Sequence, residues 1–135
     1  MIRDVLVPAL QARFRTRGIK TGTPPGPIAV FPAANPAVGD ISIFDEGNEA
    51  KLQIGTLTHQ HFNPYNTSLS QSERAKIITE EMVEFLRRLF ADRVLILRGR
   101  GTAWSNVRVL DDDDELPAIP PNTEGFLWSG PVGSA

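Results

Sequence analysis

The two histidines of the chain are the residues whose type and spacing could most directly support chemistry. His59 and His61 lie in Thr-His-Gln-His-Phe, at the end of an alternating apolar segment. If the strand continues through them, both rings leave the same face with their backbones about 6–7 Å apart, which allows two imidazoles to approach one metal ion. The pattern therefore makes His59 and His61 candidate ligands of a divalent metal.

The remaining ligands of such a site would have to be carboxylates, because the chain has no cysteine and no further histidine. The sequence offers Asp40, Asp45, Glu46, Glu49 and the acidic run 111–115 without choosing among them. Two histidines and one carboxylate suit zinc or non-haem iron. The alternatives are that one ring bonds a backbone group while the other faces solvent, or that the pair transfers a proton or binds a ligand.

A second candidate site consists of Asp40, Glu49 and Lys51. An aspartate on one strand followed by Glu-x-Lys on the next resembles the PD-(D/E)xK nucleases, and that resemblance implies a magnesium ion held by the two carboxylates. In a hairpin with a two-residue loop at Glu46 and Gly47, however, the carboxylates of Asp40 and Glu49 are about 13 Å apart along the strand, too far to share one ion. The other interpretation is a solvated hairpin face with cross-strand charge pairing.

Contact residues for a partner are predicted near the C-terminus. Asp112 and Asp113 lie in the acidic run 111–115. This run lacks the alternating oxygen ligands and the turn glycine of an EF-hand calcium loop, so we predict a solvated acidic loop. Trp104 and Trp128 fall in edge or irregular segments. These two tryptophans, with Tyr65 and Phe62, would be either core residues or interface anchors. The segment 111–135, acidic and rich in proline, is expected to be irregular, with the apolar patch 126–128 packed on the body.

Basic residues cluster at the end of the first predicted helix, at Arg13, Arg15, Arg17 and Lys20. Arginine forks suit phosphate, so a nucleic-acid contact is one interpretation. Positive charge at a helix C-terminus is also stabilising by itself, and this is the interpretation we favour.

Two helices are expected to position these residues. The first begins near Asp4, carries Leu6, Leu10 and Phe14 on one face and ends at Gly18. The second begins at a capping box formed by Ser70 and Glu73 and runs to about residue 91. Its predicted buried face comprises Ala75, Ile78, Met82, Phe85, Leu86 and Leu89.

The strands are predicted from period-two alternation and from short apolar runs. Residues 40–58 form a hairpin, for which a two-residue loop at Glu46 and Gly47 places Ile41 and Ile43 on the same apolar face as Ala50, Leu52 and Ile54. Residues 28–31, 94–97 and 102–110 supply further strands. The helix between residues 49 and 98 favours a right-handed crossover between parallel strands. The expected fold is one α+β domain over residues 1–135, with the order α-β-β-β-α-β-β and a mixed sheet of about five strands.

The amino-acid composition excludes several classes of function. The net charge of −2 argues against a general nucleic-acid clamp, and the lack of cysteine excludes disulfides and thiol nucleophiles. No signal-peptide or membrane-span pattern occurs, so we expect a cytoplasmic protein without a membrane partner. No complete catalytic set is present. The leading hypothesis is a module that binds a protein partner or a second copy of itself, of an accessory, inhibitor or immunity type; the alternative is a metal-dependent enzyme centred on His59 and His61.

Overall fold

A computed structural model describes residues 2–133, which form two helices and two antiparallel sheets, an α+β fold as expected. The helices are α1 (Ile2–Arg13) and α2 (Gln71–Phe90), and a short 3-10 turn covers Arg15–Arg17. The first sheet contains β1 (Lys20–Thr21), β2 (Ala29–Phe31), β3 (Ile41–Asp45), β4 (Ala50–Ile54) and β5 (Thr58–Phe62). The second sheet contains β6 (Val94–Gly99), β7 (Ser105–Val109), β8 (Thr123–Leu127) and β9 (Gly130–Val132).

Helix α2 forms as the sequence predicts. The Glu73 amide donates to the Ser70 hydroxyl at 3.1 Å, and the Ser70 amide donates back to the Glu73 carboxylate at 3.0 Å, so the capping box is complete. All six residues of the predicted apolar face are buried. Helix α1 packs against α2. It ends at Arg13, before the predicted stop, and the left-handed Gly18, with φ of 69°, instead ends the 3-10 turn.

The β3–β4 hairpin keeps the predicted faces but not the predicted loop. Asp45 pairs with Ala50 and Ile41 with Ile54, so residues 46–49 form a four-residue turn in place of the two-residue loop. The Glu46 amide closes this turn by donating to the Glu49 carbonyl at 2.9 Å. Because the register moves by two residues, every side chain stays on its predicted face.

The expected single mixed sheet is replaced by two separate sheets. The first is an antiparallel meander with the order β1-β2-β3-β4-β5, and the second has the order β7-β6-β8-β9. Helix α2 connects β5 to β6, but these strands lie in different sheets, so the predicted parallel crossover does not form. One apolar core containing residues of both helices and both sheets joins the two layers.

The C-terminal segment is more regular than predicted. Residues 123–132 form β8 and β9, and β8 pairs with the apolar strand β6. A side chain at Gly125 would place its Cβ 2.5 Å from Ile119 Cδ1, so the end of the Ile119 side chain would have to move to make room for it. Pro131 is tolerated because β9 is an edge strand. Residues 134 and 135 of the predicted segment lie outside the described residues.

Neither helix is long and apolar enough, within residues 2–133, to cross a membrane.

Candidate functional site

The two faces of strand β5 carry different surfaces. His59 and His61 point to the outer face of the meander and are exposed, as the strand period predicts. Their rings stand edge to face with centroids 5.1 Å apart. Phe62 lies on the opposite, inner side, where its ring packs against Phe85 of α2 at 5.7 Å. One strand therefore contributes to a polar surface and to an apolar one.

On the outer face, His61 meets two carboxylates from the β3–β4 turn. Its Nδ1 lies 3.4 Å from a Glu49 carboxylate oxygen and 3.8 Å from a Glu46 carboxylate oxygen. One donor atom from each of these three residues lies within 4.8 Å of the other two. Of the carboxylates that the sequence offered for a metal, the structure thus brings Glu46 and Glu49 to His61.

The structure does not bring Asp40 to the same place. The Gly55 amide donates to the Asp40 carbonyl, which sets Asp40 six residues from Glu49 along the partner strand, about 20 Å at 3.3 Å per residue. The Asp40 carboxylate instead accepts from the Ala33 amide at 2.8 Å. The arrangement implied by the nuclease resemblance is therefore not formed by Asp40, Glu49 and Lys51.

On the inner side, the terminal strands of the two sheets border an open groove. Strands β5 and β7 approach where the hydroxyls of Thr58 and Ser105 hydrogen-bond at 3.0 Å. Phe62 and Val109, at the other ends of these strands, line an open apolar groove of about 460 Å³ together with α2, which forms its floor. The apolar lining comes from Phe62, Phe85 and Val109, of which Val109 is 49% exposed.

Acidic side chains of α2 border this groove. Glu84 is paired with Arg87 at 2.7 Å and Arg88 at 3.0 Å, and the hydrogen bond from Arg87 is the main reason that the pKa of Glu84 falls from 4.5 to about 2. Glu80 and Glu81 also line the groove and are exposed. Within residues 2–133 no basic side chain forms an ion pair with either of them. Their negative charge faces solvent.

The acidic loop 111–115 continues from the end of the groove. Arg88, which lines the groove, donates to the Leu110 carbonyl at 2.9 Å and lies 3.6 Å from the Asp111 carboxylate. Arg93 organises the loop by donating to the Asp111 carbonyl and to the Asp114 carbonyl. Asp112 and Asp113 remain exposed. Groove and acidic loop form one continuous surface, which we call the acidic groove.

The predicted contact tryptophans differ in burial. Trp128 is 3% exposed and packs on Phe90 with ring centroids 5.4 Å apart, so it is a core residue and is not available to a partner. Trp104 is 50% exposed in the β6–β7 connection.

In the basic cluster predicted at the end of the first helix, the Arg17 guanidinium lies 4.3 Å from the centre of the Phe90 ring. This cation–π contact engages one of the four basic residues in packing.

The sequence predicted only part of the apolar lining of the groove. Phe62 was named as either a core residue or an interface anchor, and the structure places it in the lining. Phe85 was assigned to the core, and Val109 gave no site signal because it ends a strand of the other sheet. Comparisons of the chain with protein-family models, curated proteins and solved structures gave no significant match.

Proposed function

We propose that this protein binds a basic, apolar segment of a partner protein in the acidic groove. The observation that carries the proposal is the apolar opening between β5, α2 and β7, bordered by Glu80 and Glu81, neither of which forms an ion pair within residues 2–133. An exposed apolar surface rimmed by polar groups is typical of protein interaction sites. Asp112 and Asp113, predicted from the sequence as contact residues, extend the acidic rim.

The charge of the rim selects the chemistry of the partner. Glu84 is neutralised by Arg87 and Arg88, whereas Glu80 and Glu81 are exposed and form no ion pair with any residue that the structure describes. Lysine or arginine side chains that flank an apolar anchor would pair with these carboxylates and would be attracted over distances of about a Debye length. The apolar anchor would cover Val109 and Phe62.

The borders of the groove favour an extended segment. β5 and β7 are the terminal strands of their sheets, so each has one edge that pairs with no strand of residues 2–133. An added segment could pair with either edge through its backbone while alternate side chains enter the groove. A second copy of the chain is disfavoured as the occupant, because a two-fold contact through this surface would bring two acidic rims together.

Peptide binding tests the proposal. The probe is a nine-residue peptide of alternating lysine and leucine, compared with a lysine–serine and a glutamate–leucine peptide of equal length. We expect the lysine–leucine peptide to bind at least about tenfold more tightly than either control, because only it matches both the rim and the floor. Amide chemical-shift changes should concentrate at β5, α2 and β7.

Two groove variants and one matched control complete the test. Val109→Ser should weaken binding of the lysine–leucine peptide about tenfold, whereas the matched Val5→Ser, at a valine that is 39% exposed on α1, should not. Glu80→Lys combined with Glu81→Lys should abolish binding. Equal affinity for the three peptides, or no effect of the groove variants on a folded protein, would show that the acidic groove does not recognise a basic partner segment.

A further inference from the structure

We infer that Glu46, Glu49 and His61 form a zinc-binding site on the outer face of the meander. The site is separate from the acidic groove, because His61 and Phe62 leave opposite faces of β5. Its ligand set also differs from the histidine pair predicted from the sequence. One imidazole and two carboxylates, and not two imidazoles and one carboxylate, are the groups that the fold brings together.

The distances are close to those around one tetrahedral ion. Two donors that each lie about 2.1 Å from a tetrahedral zinc are about 3.4 Å apart. His61 Nδ1 lies 3.4 Å from Glu49 Oε2 and 3.8 Å from Glu46 Oε1, and the three donors lie within 4.8 Å of one another. Small side-chain rotations therefore suffice to close the site. Solvent would supply the fourth ligand, because Glu46 and His61 are exposed.

The backbone holds the three donors in place. Glu46 and Glu49 are the ends of the β3–β4 turn, which is closed by the hydrogen bond from the Glu46 amide to the Glu49 carbonyl. His61 pairs with Lys51 across the neighbouring β4–β5 ladder. The donors thus come from a closed turn and an adjacent strand, so little chain entropy has to be lost when an ion binds.

The donor chemistry selects zinc over hard cations. Imidazole nitrogen is a good ligand for zinc, whereas magnesium and calcium prefer a shell of oxygens. The two carboxylates supply a charge of −2 that matches the ion. Lys51 opposes it, since its ammonium lies 4.0 Å from Glu46 Oε2 and would have to move aside.

His59 provides an internal control for the ligand set. It stands beside His61 and is also exposed, but it is not one of the three converging donors. Nonspecific zinc binding by exposed histidines would depend on both rings alike. Binding at the inferred site would depend mainly on His61.

Isothermal titration of untagged protein with zinc chloride tests the inference. We expect one zinc ion per chain and no measurable binding of magnesium. Loss of an outer partner of a metal ligand already costs about 10–100-fold in affinity, so Glu49→Gln and His61→Gln should each weaken zinc binding by about tenfold or more. His59→Gln should have a much smaller effect, and circular dichroism would verify that each variant is folded.

A gain-of-affinity variant makes the test sharper. Lys51→Met removes the ammonium group that competes with zinc for Glu46. Zinc binding should tighten about fivefold, the factor that corresponds to the Coulomb energy in water of the Lys51–Glu46 pair, two unit charges about 4 Å apart. The inference is overturned if zinc does not bind, if His59→Gln weakens binding as strongly as His61→Gln, or if Glu49→Gln leaves the affinity unchanged.

Discussion

The acidic groove and the outer face of the meander share strand β5 yet are built in different ways. The outer face is assembled from residues 46–61, through one turn and two neighbouring hairpin ladders. The groove joins Phe62, Phe85 and Val109, which belong to two sheets and a helix. The groove therefore depends on the packing of the whole molecule, whereas the polar face depends on local pairing. Substitutions in the two regions should differ in their effect on stability.

The largest expected difference comes from the floor of the groove. Phe85 is 9% exposed and packs on Phe62, so Phe85→Ala should lower the free energy of unfolding by about 3 kcal/mol. His61→Gln, on the exposed face of the same sheet, should change it by less than about 0.5 kcal/mol in metal-free buffer. Urea denaturation of both variants gives the comparison. Similar losses would show that the two regions are not energetically distinct.

Arg93 tests whether the acidic loop depends on the fold around it. Arg93→Ala removes the hydrogen bonds to the carbonyls of Asp111 and Asp114 and should cost about 2 kcal/mol. The amide of Asp114, which donates to the Asp111 carbonyl at 3.0 Å, should lose protection against hydrogen exchange. Arg108→Ala, at an exposed arginine of β7, is the control. Unchanged protection in Arg93→Ala would mean that the loop is held by its own turn.

The N-cap of α2 should have a smaller effect. Ser70→Ala removes one side of the capping box and should lower the free energy of unfolding by about 1 kcal/mol. Ser72→Ala, two residues later and exposed, should change it by less than about 0.5 kcal/mol. Thermal unfolding of the two variants would measure the difference. Equal stability would indicate that tertiary packing alone fixes the start of the helix.

The smallest effect concerns pH and Glu84. Its pKa is lowered from 4.5 to about 2 by the hydrogen bond from Arg87, so its contribution to stability is present above pH 4.5 and is lost as pH falls towards 2. The stability difference between the parent protein and Glu84→Gln should shrink across this range. Carboxyl NMR titration should give a pKa near 2. In an Arg87→Met and Arg88→Met double variant the pKa should return towards 4.5; a value still near 2 would contradict the assigned cause.

The difference between the local outer face and the non-local groove also explains which parts of each site the sequence predicts. The histidine pair followed from strand period, and its carboxylate partners were named among several candidates. The choice of Glu46 and Glu49 required the four-residue turn, which side-chain alternation could not distinguish from a shorter loop because both keep the same faces. The acidic run 111–115 is evident in the sequence. The sequence does not predict that this run continues along α2, through Glu80 and Glu81, beside an apolar groove.

The sequence by itself determined the elements whose signal is local. These are helix α2 with its capping box and buried face, the inner and outer faces of the β3–β4 hairpin, and the strand at β6. Tertiary structure decided which strands pair, the division into two sheets, the strands β8 and β9, and the burial of Trp128. The physical reason is that side-chain period is encoded within each segment, whereas strand partners are chosen by backbone hydrogen bonds that are the same for nearly every residue type.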